Sequence, residues 1–373
     1  MILGIDTSTY FEEINNGARY YGFGHREVDP LDEFVKNGVT YQRIRLWVNP
    51  YSVDHKPYLG GTCDLNNFLN LSKLCLKKGY QIILDFHYSD FWCDPSKQFI
   101  PKDWVNLTQE ELIRKVYDYT YSVLTVIKLE GIPLYGIQIG DEITNGMLWP
   151  IGKLTDNGKG VKRGNYSSLI KLLKSGIEAA RKINPQSKII LHLERSCDEL
   201  VYKEFFDEMK ENPVDYDVIG ASYYPYYHGT IAAVIHNLVN LKKTYKKEVM
   251  VMELGYAFTT IDYLTTYQTN EKQLVMNDEF VKDKSHYIPY PLTEKGQDDF
   301  IKEFLEKCRK NGIDGVFYWE PLWIPGKNIC WTSLEGQQYI NETSKSTRNE
   351  WANQALYDCQ GQALAALKTF NNK

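Results

Sequence analysis

Two glutamates, Glu142 and Glu253, fall at the ends of short apolar runs, and so do most of the chain's other reactive side chains. The run ends carry Arg43 and Arg45 with Trp47, Asp85 with His87 and Tyr88, and Asp141 beside Glu142. Further along come His192 with Glu194, Tyr223 with Tyr224, and Trp319 with Glu320. Burying so many ionisable groups is costly unless they are partnered, and such clusters are tolerated where chemistry uses them. Two facing carboxylates suit glycoside hydrolysis. One, protonated, gives its proton to the leaving oxygen while the other attacks the anomeric carbon, with a separation of about 5–5.5 Å in a retaining enzyme. The alternative is structural, each glutamate pairing with a strand-end arginine such as Arg45.

Other chemistries find less support. The chain has no Walker loop, GxGxxG, HExxH, GxSxG or EF-hand pattern. His87, His192 and His228 could ligate a metal on three strands, but that reading wants an HxH on the first strand, which offers Gly4-Ile-Asp-Thr-Ser8 instead. No metal and no cofactor are expected. A net charge of −5, from 43 basic against 48 acidic residues, lacks the footprint of a nucleic-acid binder. No run of about 18 apolar residues is present to span a bilayer, and the opening Met1-Ile-Leu-Gly-Ile-Asp6 does not read as a leader. Seven scattered cysteines without a CxxC suit free, mostly buried thiols in a reducing compartment. The 28 Tyr and 8 Trp exceed ordinary core needs and fit sugar-binding faces, although a Tyr-rich core explains them as cheaply.

The elements that must position these residues read as eight strands alternating with helices. Strands are expected at Leu3–Thr7, Tyr41–Val48, Gln81–His87, Gly136–Glu142, Lys188–Glu194, Val218–Tyr224, Val249–Leu254 and Gly315–Trp319. Their interiors are continuously apolar, as parallel strands buried on both faces require. Helical periods occupy Leu65–Lys78, Glu110–Leu129, Tyr166–Ile183, Val201–Glu211, Ile231–Tyr245 and Thr293–Asn311. The pattern predicts an α/β chain folded as one (β/α)8 TIM barrel over residues 1–373, with a doubly wound sheet as the competing topology. Glu142 then ends the fourth strand and Glu253 lies on the seventh, across the barrel mouth. Trp149–Tyr166 and Thr259–Pro291 are long for βα loops and read as excursions on the active face.

At these residues the chain resembles the endo-β-1,4-galactanases of glycoside hydrolase family 53. The resemblance rests on Arg43-Ile-Arg-Leu-Trp47 with Asn49-Pro50, and on Leu84-Asp-Phe-His-Tyr-Ser-Asp-Phe-Trp92 with Asp94-Pro95. It continues through Gly146-Met-Leu-Trp-Pro150, Ser222-Tyr-Tyr-Pro225 with His228-Gly229, Gly315-Val-Phe-Tyr-Trp-Glu-Pro321 and Trp351-Ala-Asn-Gln-Ala-Leu356, covering nearly the whole chain. It implies Glu142 as acid/base, Glu253 as nucleophile, and Arg45, His87, Trp92, Asp141, Tyr224, His228 and Trp319 as substrate-binding residues. Trp92 and Trp319 would stack on galactose units, the competing role for each being core packing. Arg45 could hold Glu253 ionised or pair with a structural carboxylate. Tyr224 and His228 could bond the nucleophile or a sugar hydroxyl, or simply pack.

The substrate implied is β-1,4-galactan, the side chain of pectic arabinogalactan, cleaved internally with retention. A related specificity for another β-glycan and a sugar-binding pseudoenzyme are the alternatives. A monomer is expected, without nucleic-acid or membrane partners. The resemblance points outside the cell, whereas the free cysteines suit the cytoplasm, so the compartment stays open. Some family members hold a structural calcium after strand seven, but Thr259–Pro291 is too divergent to transfer ligands. Three departures touch the site. Asp141 stands where the clan usually has Asn, Glu194-Arg-Ser-Cys-Asp198 replaces an Asp-Asn-Gly-Gly-like turn, and Gly255-Tyr-Ala257 follows the nucleophile in place of Ala-Tyr-Pro. An ionised Asp141 can only accept a hydrogen bond from the sugar, while a protonated one can donate as Asn does.

Overall fold

The computed structural model describes residues 1–155, 163–262, 274–284, 287–342 and 346–371. Among the described residues, eight parallel strands close into a barrel: β1 Ile2–Asp6, β2 Tyr41–Leu46, β3 Gln81–Phe86, β4 Leu134–Ile139, β5 Lys188–Leu193, β6 Val218–Tyr223, β7 Glu248–Leu254 and β8 Gly315–Trp319. Closure is made by β1 against β8, in register from Ile2 opposite Gly315 to Asp6 opposite Trp319. This excludes the doubly wound alternative, which leaves two sheet edges.

The helices on the outside are α1 Pro30–Lys36, α2 Leu65–Lys77, α3 Gln109–Leu129, α4 Tyr166–Ile183, α5 Glu199–Glu211, α6 Ile231–Tyr245 and α7 Glu294–Lys310. Asp29, Asp64, Thr108, Asp198, Thr230 and Thr293 cap α1, α2, α3, α5, α6 and α7 with side-chain oxygens, each cap being worth ~1 kcal/mol. In α4, Leu169, Leu172, Leu173, Gly176, Ile177 and Ala180 form one buried stripe at helical spacing. The eighth unit lacks a long helix; the four-residue helix Ala366–Thr369 packs on α7 instead.

Inside the barrel, alternate residues of each strand point to the axis, and the filling changes character along it. The lower layer is apolar: Ile83, Ile190, Val218, Met250, Met252 and Phe317. Gly4 belongs there because a Cβ would lie 2.2 Å from the Phe317 ring. One step up each strand, the same faces present Asp6, Arg43, Asp85, Gln138, His192 and Ser222, all buried. On β7 this parity breaks. Ala221 pairs with Val251 but Ser222 pairs with Glu253, so Met252 is an extra residue, and Val316 and Tyr318 on β8 span Val251 to Leu254 in the same way. The bulge brings Glu253 round to the cleft, which uninterrupted alternation after Met250 and Met252 would forbid.

Two expectations about the loops change. β4 ends at Ile139, so Asp141 and Glu142 lie beyond it rather than on it, in a turn with Gly140 at φ 82° and Glu142 at φ 47°. A left-handed glutamate costs about 1 kcal/mol and is held only where the surroundings demand it. The excursion after β4 contains a small hairpin, Gly146–Met147 paired with Gly152–Lys153, and its residues 156–162 lie outside the described residues. Of the stretch after β7, residues 263–273 and 285–286 lie outside them too, so part of the Thr259–Pro291 segment considered for calcium is not among the described residues.

Candidate active site

The Arg43 guanidinium is the hub of the polar layer. Nη1 meets Glu253 Oε1 at 2.9 Å and Asp6 Oδ2 at 3.2 Å, while Nη2 meets Asp141 Oδ1 at 2.5 Å and Asp85 Oδ2 at 2.8 Å. Its Nε–H donates to Gln138 Oε1 at 3.1 Å, so every face of the fork is used. Arg45 does not hold Glu253. It pairs with Asp6 at 3.2 Å and with Glu320 at 2.6 Å, and its guanidinium lies 4.4 Å above the Trp92 ring. The structural role weighed for Arg45 is thus the observed one, although its side chain still borders the cleft.

The two glutamates have different surroundings. Glu253 accepts from Arg43 and, at 2.8 Å, from the Tyr224 hydroxyl. Among the described residues, the Glu142 carboxylate accepts a hydrogen bond from Ser222 Oγ alone, at 2.6 Å. Burial raises the Glu142 carboxyl well above its ordinary range, and the nearby Glu253, Asp141 and Glu194 carboxylates add to it. Burial also raises Glu253, but Arg43, His192 and Tyr224 oppose that rise. As a pair they favour one negative charge and one proton, with the charge on Glu253 and the proton on Glu142.

Asp141 is held ionised. Burial would raise its carboxyl, but His87, Arg43 and His192 outweigh that and hold it far below the usual carboxylate range. Its Oδ1 accepts from Arg43, from His192 Nδ1 at 2.8 Å and from Gln138 Nε2 at 3.0 Å. His87 Nδ1 accepts from Trp47 Nε1 at 3.2 Å, which leaves Nε2–H to donate to Asp85 at 3.1 Å. His228 is buried, and burial together with His192 lowers it to about 3; its Nδ1 accepts from the Tyr224 backbone N–H, so it fixes the turn that carries Tyr224. Among the described residues, two triads of ligand-type side chains lie close enough to share an ion, Asp85–His87–Asp141 and Asp141–His192–Glu253. Arg43 already contacts carboxylates of both, and His228 belongs to neither, so the three-histidine set is not assembled.

These residues open into a cleft of about 770 Å³, which all nine sequence-predicted site residues line. One wall is tryptophan. Trp92 and Trp319 stand 6.1 Å apart, joined by Trp323 at 5.9 and 5.6 Å and by Trp351 at 6.3 Å from Trp319. Trp92 is anchored by Nε1–H donating to the Trp331 carbonyl at 2.9 Å. On the opposite side, Glu194 and Arg195 follow β5, with Arg195 Nε 3.1 Å from Glu194 Oε1. The sequence reading left out Arg43, Ser222, His192 and Gln138 as site residues, and Trp323, Trp331 and Trp351 as wall. Counting inward by twos along β2, β4, β5 and β6 would have found the first four. Trp323 and Trp331 carry no local signal, and Trp351 stood in a matching stretch without a role assigned to it.

The glycosyl hydrolase family 53 profile matches residues 2–370. The chain is 30% identical to an endo-beta-1,4-galactanase of Bacillus subtilis over 99% of this chain and 85% of that protein. It is also 30% identical to arabinogalactan endo-beta-1,4-galactanase A of Aspergillus niger, over 86% of this chain and 85% of the relative. The GH53 catalytic domain of Ignisphaera aggregans superposes with a TM-score of 0.87 at 34% identity, covering 99% and 95% of the two chains. A structure from a study of two fungal beta-1,4-galactanases gives 0.76 at 27% identity, covering 100% and 99%. With a parallel barrel, a carboxylate pair at its mouth and this similarity along its length, the chain belongs to glycosyl hydrolase family 53.

Proposed function

We propose that the protein is an endo-acting, retaining hydrolase of β-1,4-galactan. The observation that carries this reading is the unequal carboxylate pair in a tryptophan-walled cleft, Glu253 tied to Arg43 and Glu142 raised by its neighbours. Glu253, kept anionic by Arg43 and oriented by Tyr224, attacks the anomeric carbon. Glu142 protonates the departing oxygen, then takes a proton from the water that releases the glycosyl-enzyme. The tryptophans offer flat faces to the less hydroxylated side of galactose. Asp141 has Oδ1 occupied by three donors, while Oδ2, 3.6 Å from His87 Nε2, remains able to accept from a sugar hydroxyl. That acceptor, in place of the usual amide donor, is the specific ground for a second reading, a preference for another β-glycan.

The test is incubation with galactan, arabinan, mannan, cellulose and xylan followed by product sizing, with NMR of the first-formed anomer. Internal cleavage of galactan with an initial β-anomer is expected; an initial α-anomer rejects the mechanism. Glu253→Ala should abolish turnover even on activated aryl galactosides, with rescue by azide. Glu142→Ala should lose most on poor leaving groups, and swapped profiles would invert the assignment.

A further inference from the structure

Behind Glu142, away from the cleft, runs a continuous line of hydrogen bonds that the reaction as described leaves unused. Ser222 Oγ lies 2.6 Å from Glu142 Oε1, His192 Nε2 lies 2.9 Å from Ser222 Oγ, and His192 Nδ1 lies 2.8 Å from Asp141 Oδ1. His192 and Ser222 are fully buried, so bulk water does not interrupt the line. Its far end is fixed. Asp141 accepts from Arg43 and, at 3.0 Å, from the Gln138 amide, which also reaches Asp85 at 2.6 Å and the Gly140 carbonyl at 3.1 Å; an ionised carboxylate only accepts, so the proton between His192 and Asp141 belongs to Nδ1.

Resting on the reading of Glu142 as the acid, we propose that Asp141, His192 and Ser222 form a proton relay that refills Glu142 as it protonates the leaving oxygen. The proton ledger closes. At the start His192 carries protons on both nitrogens, Ser222 donates to Glu142 Oε1, and Glu142 carries the acidic proton on Oε2. As that proton passes to the leaving oxygen, the Ser222 proton moves to Oε1 and the Nε2 proton moves to Ser222. His192 ends neutral, and Glu142 ends protonated. When water attacks the glycosyl-enzyme, Oε2 takes its proton and the same two shifts run backwards, returning the charge to His192.

The gain is electrostatic. Glu142 stands among Glu253, Asp141 and Glu194, where a free carboxylate is disfavoured, and the relay spares it from carrying a full charge. The charge goes to His192, which faces carboxylates on several elements: Asp141 after β4, Glu253 on β7 and Glu194 after β5. His228, Arg195 and, through Asp141, Arg43 oppose it, and the neutral Gln138 completes the shell. The aspartate at position 141, where the clan usually has asparagine, supplies the negative charge that an imidazolium at His192 needs.

The test has two arms. In the first, kcat/KM on galactan is followed against pH for the wild type, Ser222→Ala, Ser222→Thr, His192→Gln and the Ser222→Ala/His192→Gln double variant. His192→Gln keeps a donor near the Nε2 position without a transferable proton. Both Ser222→Ala and His192→Gln should be slower by about tenfold or more, with the double variant no worse than either. Their alkaline limb should move up by about one pH unit, because the first proton lost no longer comes from a relay bearing an extra positive charge. Ser222→Thr, keeping the hydroxyl, should keep the wild-type limb. Multiplying losses, or an unmoved limb in His192→Gln, would overturn the relay.

The second arm needs no substrate and so survives a wrong assignment of galactan. In ¹⁵N-histidine NMR at mildly acidic pH, both His192 ring nitrogens should carry a proton, and Ser222→Ala should move the Nε2 signal more than the Nδ1 signal, because only Nε2–H loses its acceptor. A neutral His192 ring, or an Nε2 signal unmoved by Ser222→Ala, would reject the relay.

Discussion

Arg43 Nη1 lies 2.9 Å from Glu253 Oε1, whereas Arg45, two residues further along the same strand, is engaged with Asp6 and Glu320. Inward-facing arginines on one strand therefore have separate duties. Lysine at position 43 keeps the charge but cannot serve four carboxylates and Gln138 at once. Arg43→Lys should lower kcat by about a hundredfold or more, the scale of losing a positioned donor, and should also lower Tm. Arg45→Lys should act mainly on KM, through the Trp92 ring it covers. Steady-state kinetics on galactan with calorimetry of both variants checks this; equal kcat losses would contradict the division.

The tryptophan wall separates binding from packing. Trp319 stands at the end of β8 facing the cleft, so Trp319→Ala should raise KM on long galactan about two- to tenfold, from roughly 0.5–1.5 kcal/mol of stacking. Trp92, for which stacking on sugar and core packing were the two roles open on the sequence, is bound to the Trp331 carbonyl and packed on Trp47, Phe91 and Trp323. Trp92→Ala should raise KM and also lower Tm by about 5 °C or more. An unchanged melting curve would return Trp92 to a purely binding role.

Asp141→Asn tests the departure beside the acid. Since the aspartate is ionised, its charge is one cause of the raised Glu142 carboxyl. Removing that charge lowers the pH at which Glu142 loses its proton, and it also weakens an imidazolium at His192. The alkaline limb of kcat/KM should therefore move to lower pH, rather than extend upward as a protonated aspartate would have implied. Arg43 retains three carboxylates and an amide oxygen still accepts at position 141, so Tm should change little. A pH profile of both forms decides the sign.

Stability should depend on pH through carboxyls that the reaction does not use. Burial raises Glu12 and Glu320 to about 7 each, the latter despite Arg45, and raises Glu13 beside Glu320 still further. A carboxyl raised in the folded state binds more protons folded than unfolded. Its stabilising share is complete below the unfolded value of about 4.3 and is lost as pH rises through the folded value. Tm should accordingly fall between about pH 5 and pH 8. Scanning calorimetry across that range checks it, and a Tm rising to pH 8 would mean these groups are ionised in the fold at little cost.

Eight strands, six of the seven outer helices and the barrel were legible in the sequence, because strands buried on both faces must be continuously apolar and longer helices must show one buried stripe; the short α1, Pro30–Lys36, was not. The nine residues expected at the site also meet at one cleft, since strand C-termini converge in any such barrel. What the sequence could not decide depends on long-range register. The extra residue in β7 turns Glu253 inward opposite Ser222, and only inter-strand pairing reveals it. The choice of Arg43 over Arg45 follows from depth along the axis, which alternation alone leaves equal. Glu142 leaves β4 in a left-handed turn, and Trp323, Trp331 and Trp351 reach the cleft by the return of the chain after β8. Local patterning fixes which face of each element is buried; which buried groups then touch is set by closure of the barrel, where every distance joins residues far apart in the chain.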